Sequence, residues 1–231
     1  MKTLELWWPL KHYVITQGFG GNATATYANG GLLGHPALDM VTTYNDVIRL
    51  AAEGTVYKTI NFNNPNRSAY RAVMQLVELE GSDDCYEVTY GHCNDCLIET
   101  GHRKIGDPVA SEGNTGEVYS NGVLVTEAEK QARSTKGFHL HFQLRYCRKT
   151  PTYDPQKKYL SSQEDESKPH FDGTNYYLIP NFGNGYNGCL DPIPFMNKRY
   201  AGDAPELFAN LQHQIDFARC EVEKLEALRS V

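Results

Sequence analysis

The sequence predicts a mainly β protein, an antiparallel sheet carrying long loops and followed by a C-terminal α-helix. Three observations carry this. Short apolar or alternating runs, bounded by Gly, Pro, Asn and Asp clusters, recur from residue 11 to residue 146. The 15 Tyr, 20 Gly and 11 Pro of the 231 residues favour strands and turns. From Pro205 the pattern changes to a helical one.

Tyr13–Thr16 reads as a short strand running into Gly18-Phe-Gly-Gly21. Residues 22–34, rich in Gly, Asn, Ala and Thr, read as loop. Val47–Tyr57 holds two apolar runs around Glu53-Gly54, consistent with a tight turn between strands. Asn61–Arg67 is a turn cluster with a proline. Ala72–Glu80 alternates as a strand does, and Tyr86–His92 is a further strand after the turn signal Gly81-Ser-Asp-Asp84. Ile105–Ala110 and Gly137–Tyr146 complete the set. Two stretches break the rhythm. Val123–Arg133 ends in good helix formers and predicts a short helix within a long loop. Thr150–Lys168 is polar and predicts a flexible excursion.

The C-terminal segment predicts a helix from Pro205, with Asp203 as its N-cap. Phe208, Leu211, Ile215, Ala218, Val222 and Leu225 form a seam spaced 3-4-3-4-3. The seam serves equally for packing on its own domain or for self-association. The expected division is therefore a domain over 1–202 and a helix over 203–231.

The formal charge of −6 offers no grip on nucleic acid or an anionic membrane. No apolar run of about 18 residues exists, so no membrane-spanning helix is expected. Glu5 and Pro9 interrupt the opening residues where a secretion signal needs an unbroken apolar core, so no such signal is expected. The six cysteines are Cys85, Cys93, Cys96, Cys147, Cys189 and Cys220. Cys93-Asn-Asp-Cys96 is a lone C-x-x-C, read as inert thiols or a local disulfide, with metal binding the minority reading.

Chemistry concentrates in three places. In Gly137-Phe-His-Leu-His-Phe-Gln-Leu144, strand alternation turns Phe138, Leu140, Phe142 and Leu144 to the core and His139, His141 and Gln143 to the other face. Two imidazoles side by side cannot both readily be charged, and a metal resolves that because neutral imidazole is a good zinc ligand. Alone, an H-x-H is a weak signal. Gly34-His-Pro-Ala-Leu-Asp39 sets a histidine and a carboxylate four apart at a turn entering a strand. Three protein ligands leaving a position open for water is the catalytic arrangement of zinc. Tyr90-Gly-His92 puts a histidine at a strand end, where it could orient or deprotonate water. Each histidine alone reads equally as a surface residue. His12, His102, His170 and His213 have no partner at a suggestive spacing and read as surface or loop residues.

The order H-x-x-x-D, Y-x-H, G-N-T-G, H-x-H resembles that of the lysostaphin/LytM family of zinc metallo-endopeptidases. Ile15-Thr-Gln-Gly-Phe-Gly20 is similar to the family's opening strand, Ile48–Val56 to its next hairpin, and Ile105–Val109 and Gly113–Gly116 to the segments before its H-x-H. Gly137–Arg145 matches the H-x-H strand and Leu190-Asp-Pro192 the short motif after it, so the resemblance spans about residues 13–195. It implies a groove floored by the sheet and walled by loops. It implies one zinc ion on His35, Asp39 and His141, with His92 and His139 catalytic and their acid and base roles undivided. The implied substrate is a stem or cross-bridge peptide of bacterial peptidoglycan. A phage endolysin or tail-associated lysin would fit a protein made in the cytoplasm and acting at the wall after lysis or within a particle. The helix over 205–231 would then serve self-association or virion contact. The alternative is a catalytically idle wall-binding or structural virion module of the same fold. The sequence departs from the family at Ala37, where glycine is usual, at Cys93, where an apolar residue is usual, and in insertions over 117–136 and 150–168.

Overall fold

The computed structural model describes residues 3–21 and 25–203. The predicted C-terminal helix, its Asp203-capped start, Cys220 and His213 therefore involve residues outside the described ones. The chain runs β1 (Leu6–Trp8), β2 (Val14–Gln17), α1 (Ala25–Asn29), β3 (Leu38–Val41), β4 (Val47–Arg49), β5 (Gly54–Ile60), β6 (Ala72–Glu78) and β7 (Asp84–Gly91). It continues through β8 (Gly101–Arg103), β9 (Pro108–Ser111), β10 (Tyr119–Ser120), β11 (Val123–Leu124), α2 (Glu127–Gln131) and β12 (Leu140–Thr150). β13 (Tyr176–Leu178), β14 (Cys189–Leu190), a 3-10 turn (Ile193–Phe195) and β15 (Met196–Tyr200) close it.

The main sheet is antiparallel throughout, in the order β2-β3-β12-β7-β6-β5-β8, with β13 and β14 pairing with β12. β12 is its longest strand. Leu140, Phe142 and Leu144 are fully buried on one face, packed with Met40, Val73, Val88 and Tyr90. Burial of each such side chain is worth about 1.5–3 kcal/mol. Tyr90 brings a hydroxyl into this core, and its partners are built in. It accepts from Ala51 N at 2.8 Å and donates to Gln75 Oε1 at 3.0 Å.

The other face of β12 bears His141, Gln143, Arg145 and Cys147. Opposite them on β7 stand Gly91, Thr89, Glu87 and Cys85. At its far end this face meets a second apolar cluster of Tyr57, Leu76, Cys85, Cys147, Leu160, Tyr177 and Ile179.

Several expectations are corrected. Residues 22–34 are not all loop, since Ala25–Asn29 is a helical turn. Val47–Tyr57 is not a hairpin: β4 pairs with β9, while β5 pairs with β6 and β8. Phe138 lies before β12, outside the core, and meets Tyr44 edge to face at 5.5 Å. Residues 150–168 are not an open excursion. They bond back to the sheet, and Leu160 is 1% exposed because it caps the second cluster. His170 is not a free loop residue; its ring stacks on Tyr177 and lies 4.5 Å from Tyr57. His102 is exposed and pairs with Glu53 at 3.0 Å, and His12 is exposed.

The insertion over 117–136 folds into a β-hairpin, β10 with β11, and the helical turn α2. Asn121 and Gly122 have φ of +51° and +77°, as a tight hairpin turn requires. Thr126 caps α2: its hydroxyl accepts from Glu129 N, and Glu129 Oε2 accepts from Thr126 N. Asn114 Nδ2 donates to Ser134 O at 2.9 Å and Lys136 O at 3.0 Å, which ties the far end of the insertion to its root.

Candidate metal centre

β3 and β12 set Asp39 directly opposite His141. His35 joins them from the turn before β3. That turn is fixed by His35 N donating to Gly21 O and Gly20 N donating to His35 O. Gly34 is obligatory there, since a Cβ would lie 2.6 Å from Gly20 O. Ala37, fully buried, occupies the usual glycine position while His35 and Asp39 still converge.

His35 Nε2 lies 3.2 Å from His141 Nδ1 and 3.2 Å from Asp39 Oδ1, and His141 Nδ1 lies 3.1 Å from Asp39 Oδ1. Ligands held about 2.0–2.1 Å from a tetrahedral zinc stand about 3.3–3.4 Å apart, so the triangle is the right size for one ion. The chemistry also fits. His35 Nδ1 donates to Gly18 O at 3.4 Å, which leaves Nε2 as a lone-pair donor facing the other two. Among the described residues this is the one group of His, Cys, Asp and Glu side chains arranged to hold a metal. Burial opposes charge on Asp39, but the surrounding side chains of His141, His35 and His139 outweigh it and hold the carboxyl well below its usual range.

The other two histidines stand beside this triangle. His139 precedes β12 and is registered by its N–H donating to Gly113 O. Its Nδ1 donates to Gly137 O at 2.9 Å, and Nε2 lies 3.7 Å from Asp39 Oδ1. His92 follows β7 with φ of +60°, a left-handed conformation that turns the chain out of the strand. Its Nδ1 donates to Thr115 O at 2.6 Å, and its ring centre is 4.5 Å from that of His139. Both imidazoles are thus held through Nδ1–H and present Nε2 as an acceptor. Burial lowers both pKa values; the neighbouring His139 and His141 lower His92 further, whereas Asp39 partly opposes the shift at His139. Burial thus favours the neutral form of both rings.

The five predicted site residues line one cavity of about 950 Å³, together with Gln17, Tyr27, Phe138 and the hairpin residues 117–122. A second cavity of about 830 Å³, beside Glu53 and His102, contains none of them. Sequence reasoning missed Tyr27, whose ring lies 5.8 Å from His35 and whose hydroxyl accepts from Gln17 Nε2. It also missed Tyr70, edge-on to His92 at 5.1 Å. The space for Tyr70 exists because residue 91 is glycine: a Cβ there would lie 2.1 Å from the Tyr70 hydroxyl. No local signal marks either tyrosine, but a glycine inside a strand is the recognised sign of such a close approach. Cys93 and Cys96 are free thiols outside the metal group, and Cys93 is a core residue.

No family model matches the chain, and no curated protein matches it. Among solved structures it is similar to a zinc-containing peptidase from Vibrio cholerae, with TM-score 0.41 and 22% identity over 63% of this chain and 37% of that one. It is similar to the catalytic domain of the antimicrobial peptidase lysostaphin from Staphylococcus simulans, with TM-score 0.42 and 17% identity over 79% and 91% of the two chains. For whole lysostaphin the TM-score is 0.44, with 16% identity over 84% and 55%. The chain thus spans well under half of the Vibrio protein. These likenesses are distant, and the functional reading rests on the side chains themselves.

Proposed function

We propose that the protein is a zinc-dependent endopeptidase that hydrolyses a stem or cross-bridge peptide of bacterial peptidoglycan. The observation that carries this is the triangle of His35, Asp39 and His141 beside two further histidines in an open cavity. The peptidoglycan substrate rests on the order of the sequence motifs.

His35, Asp39 and His141 would hold the ion. Zinc, when bound, polarises the scissile carbonyl and makes water acidic enough to attack at neutral pH. His92 and His139 supply the rest. Either Nε2 can accept the proton of the attacking water, and the protonated ring can then give it to the leaving amine. Their Nδ1 bonds to Thr115 O and Gly137 O keep the rings oriented through this exchange. Burial favours the neutral form of both, which suits a ring that must accept that proton.

The test combines metal analysis of the pure protein with mass spectrometry of purified walls after incubation. We expect about one equivalent of zinc, new amino termini in the released muropeptides, loss of release on chelation and its return with added zinc. Protein without zinc that leaves walls of several types intact would sink the proposal.

A further inference from the structure

The cavity beside the metal triangle has an uneven charge. Apart from Asp39 and the histidines, Glu117 is the one charged side chain lining it, and no lysine or arginine does so among the described residues. Glu117 is exposed and lies two residues beyond Thr115, whose carbonyl holds His92. Two residues of chain span at most about 7 Å from Cα to Cα, so the backbone root of Glu117 stands close to the residue that holds that histidine.

Its position is constrained. Gly116, just before it, has φ of +77°, and a Cβ there would meet Tyr70 at 3.0 Å. Lys130 Nζ, buried, donates to Gly116 O from behind the wall and is not among the cavity's lining side chains. Tyr119 stands next to Glu117 in the same lining. Its ring is half exposed and its hydroxyl donates to Glu117 Oε1 at 2.8 Å. A carboxylate beside an accessible phenol ring offers both an ion pair and a cation–π face, the two attractions an ammonium group uses. Among the described residues no lysine or arginine of the lining offers the reverse, a cationic side chain for a substrate carboxylate.

We infer that the cavity selects a peptide carrying an ammonium group near the bond to be cut, and that Glu117 with Tyr119 recognises it. The position of the cut bond rests on the peptidase reading, while recognition of the ammonium does not. An exposed ion pair and a cation–π contact together are worth about a 3–10-fold preference.

The experiment uses zinc-loaded full-length protein and otherwise neutral peptides that differ only in one residue: lysine, Nε-acetyl-lysine or glutamate. Cleavage is read as kcat/KM, and binding is read by calorimetry on the His139→Ala variant. The lysine peptide should lead the acetylated one in both by about 3–10-fold. Glu117→Gln should erase the lead, and Glu117→Lys should move it to the glutamate peptide. Equal handling of the lysine and acetyl-lysine peptides, or a lead that survives in Glu117→Gln, overturns the inference. Selective binding without cleavage of any peptide or wall keeps the inference and sinks the peptidase reading. Cleavage without selectivity does the opposite.

Discussion

The two ends of one face of β12 bury polar groups in opposite ways. At the end near β3, Asp39 meets His35 and His141, and the three facing atoms are the set that a metal ion would take. At the other end, Glu87 is directly opposite Arg145, which donates to Glu87 Oε2 at 2.6 Å, while Tyr57 donates to Oε1 at 2.6 Å. The second cluster brings its own cation and needs nothing from outside. The first is electrostatically incomplete without one. Buried charge that is self-sufficient reads as architecture, and buried charge that lacks its counterion reads as a site.

Removing a member of the incomplete cluster should have the largest functional effect. Asp39→Ala or His141→Ala should lose zinc on gel filtration and reduce wall hydrolysis to background, with the far-ultraviolet circular dichroism preserved. Retained stoichiometric zinc in either variant would break the contrast. His92→Ala and His139→Ala should keep the metal and lower kcat by about 10²–10⁴-fold. A matching loss of zinc would move those residues into the ligand set.

The self-sufficient cluster should show the reverse pattern. Glu87→Ala leaves the largely buried Arg145 without its carboxylate and should cost about 3–5 kcal/mol of stability by denaturant titration, while zinc binding is kept below the unfolding transition. Glu112 supplies a third case. It is fully buried, with neither histidines nor an arginine to stabilise its charge. Burial pushes its carboxyl up to about 8, against the hydrogen bonds from Thr42 N and Leu140 N. The folded state therefore keeps a proton that the unfolded chain gives up near 4.5. Stability from this group is full below the unfolded value and is lost as pH rises toward about 8. Glu112→Gln should flatten that decline, so its melting temperature should gain on the wild type between those limits. An unchanged difference across the range would show that Glu112 is charged in the fold.

Much of the first cluster was legible in the sequence because its residues obey strand periodicity or tight local spacing. His139 and His141 share a face, and His35 and Asp39 flank one turn. The second cluster was invisible in advance. Glu87 and Arg145 are 58 residues apart, and only the β7 to β12 register brings them together. The excursion over 150–168 was misread for the same reason. Its polar composition is that of a loop, but Leu160 enters the apolar cluster, and Ser161 and Gln163 bond to Lys58 and Thr59 of β5. Phe138 was misplaced because alternation was extended upstream of Leu140, where β12 begins, into residues that follow the left-handed Gly137. Tyr27 and Glu117 lie in segments with no periodicity, where tertiary position alone confers a role.

The two hydrogen bonds from Asn114 have a consequence for how such a protein can change. They close the insertion at its neck, and Lys130 and Arg133 add ties to Gly116 O and Asp95, so the part left outside these bonds is the hairpin of β10 and β11. Length and charge in the hairpin can then vary without moving Thr115 or the imidazole it holds. Specificity becomes exchangeable while the chemistry is inherited intact.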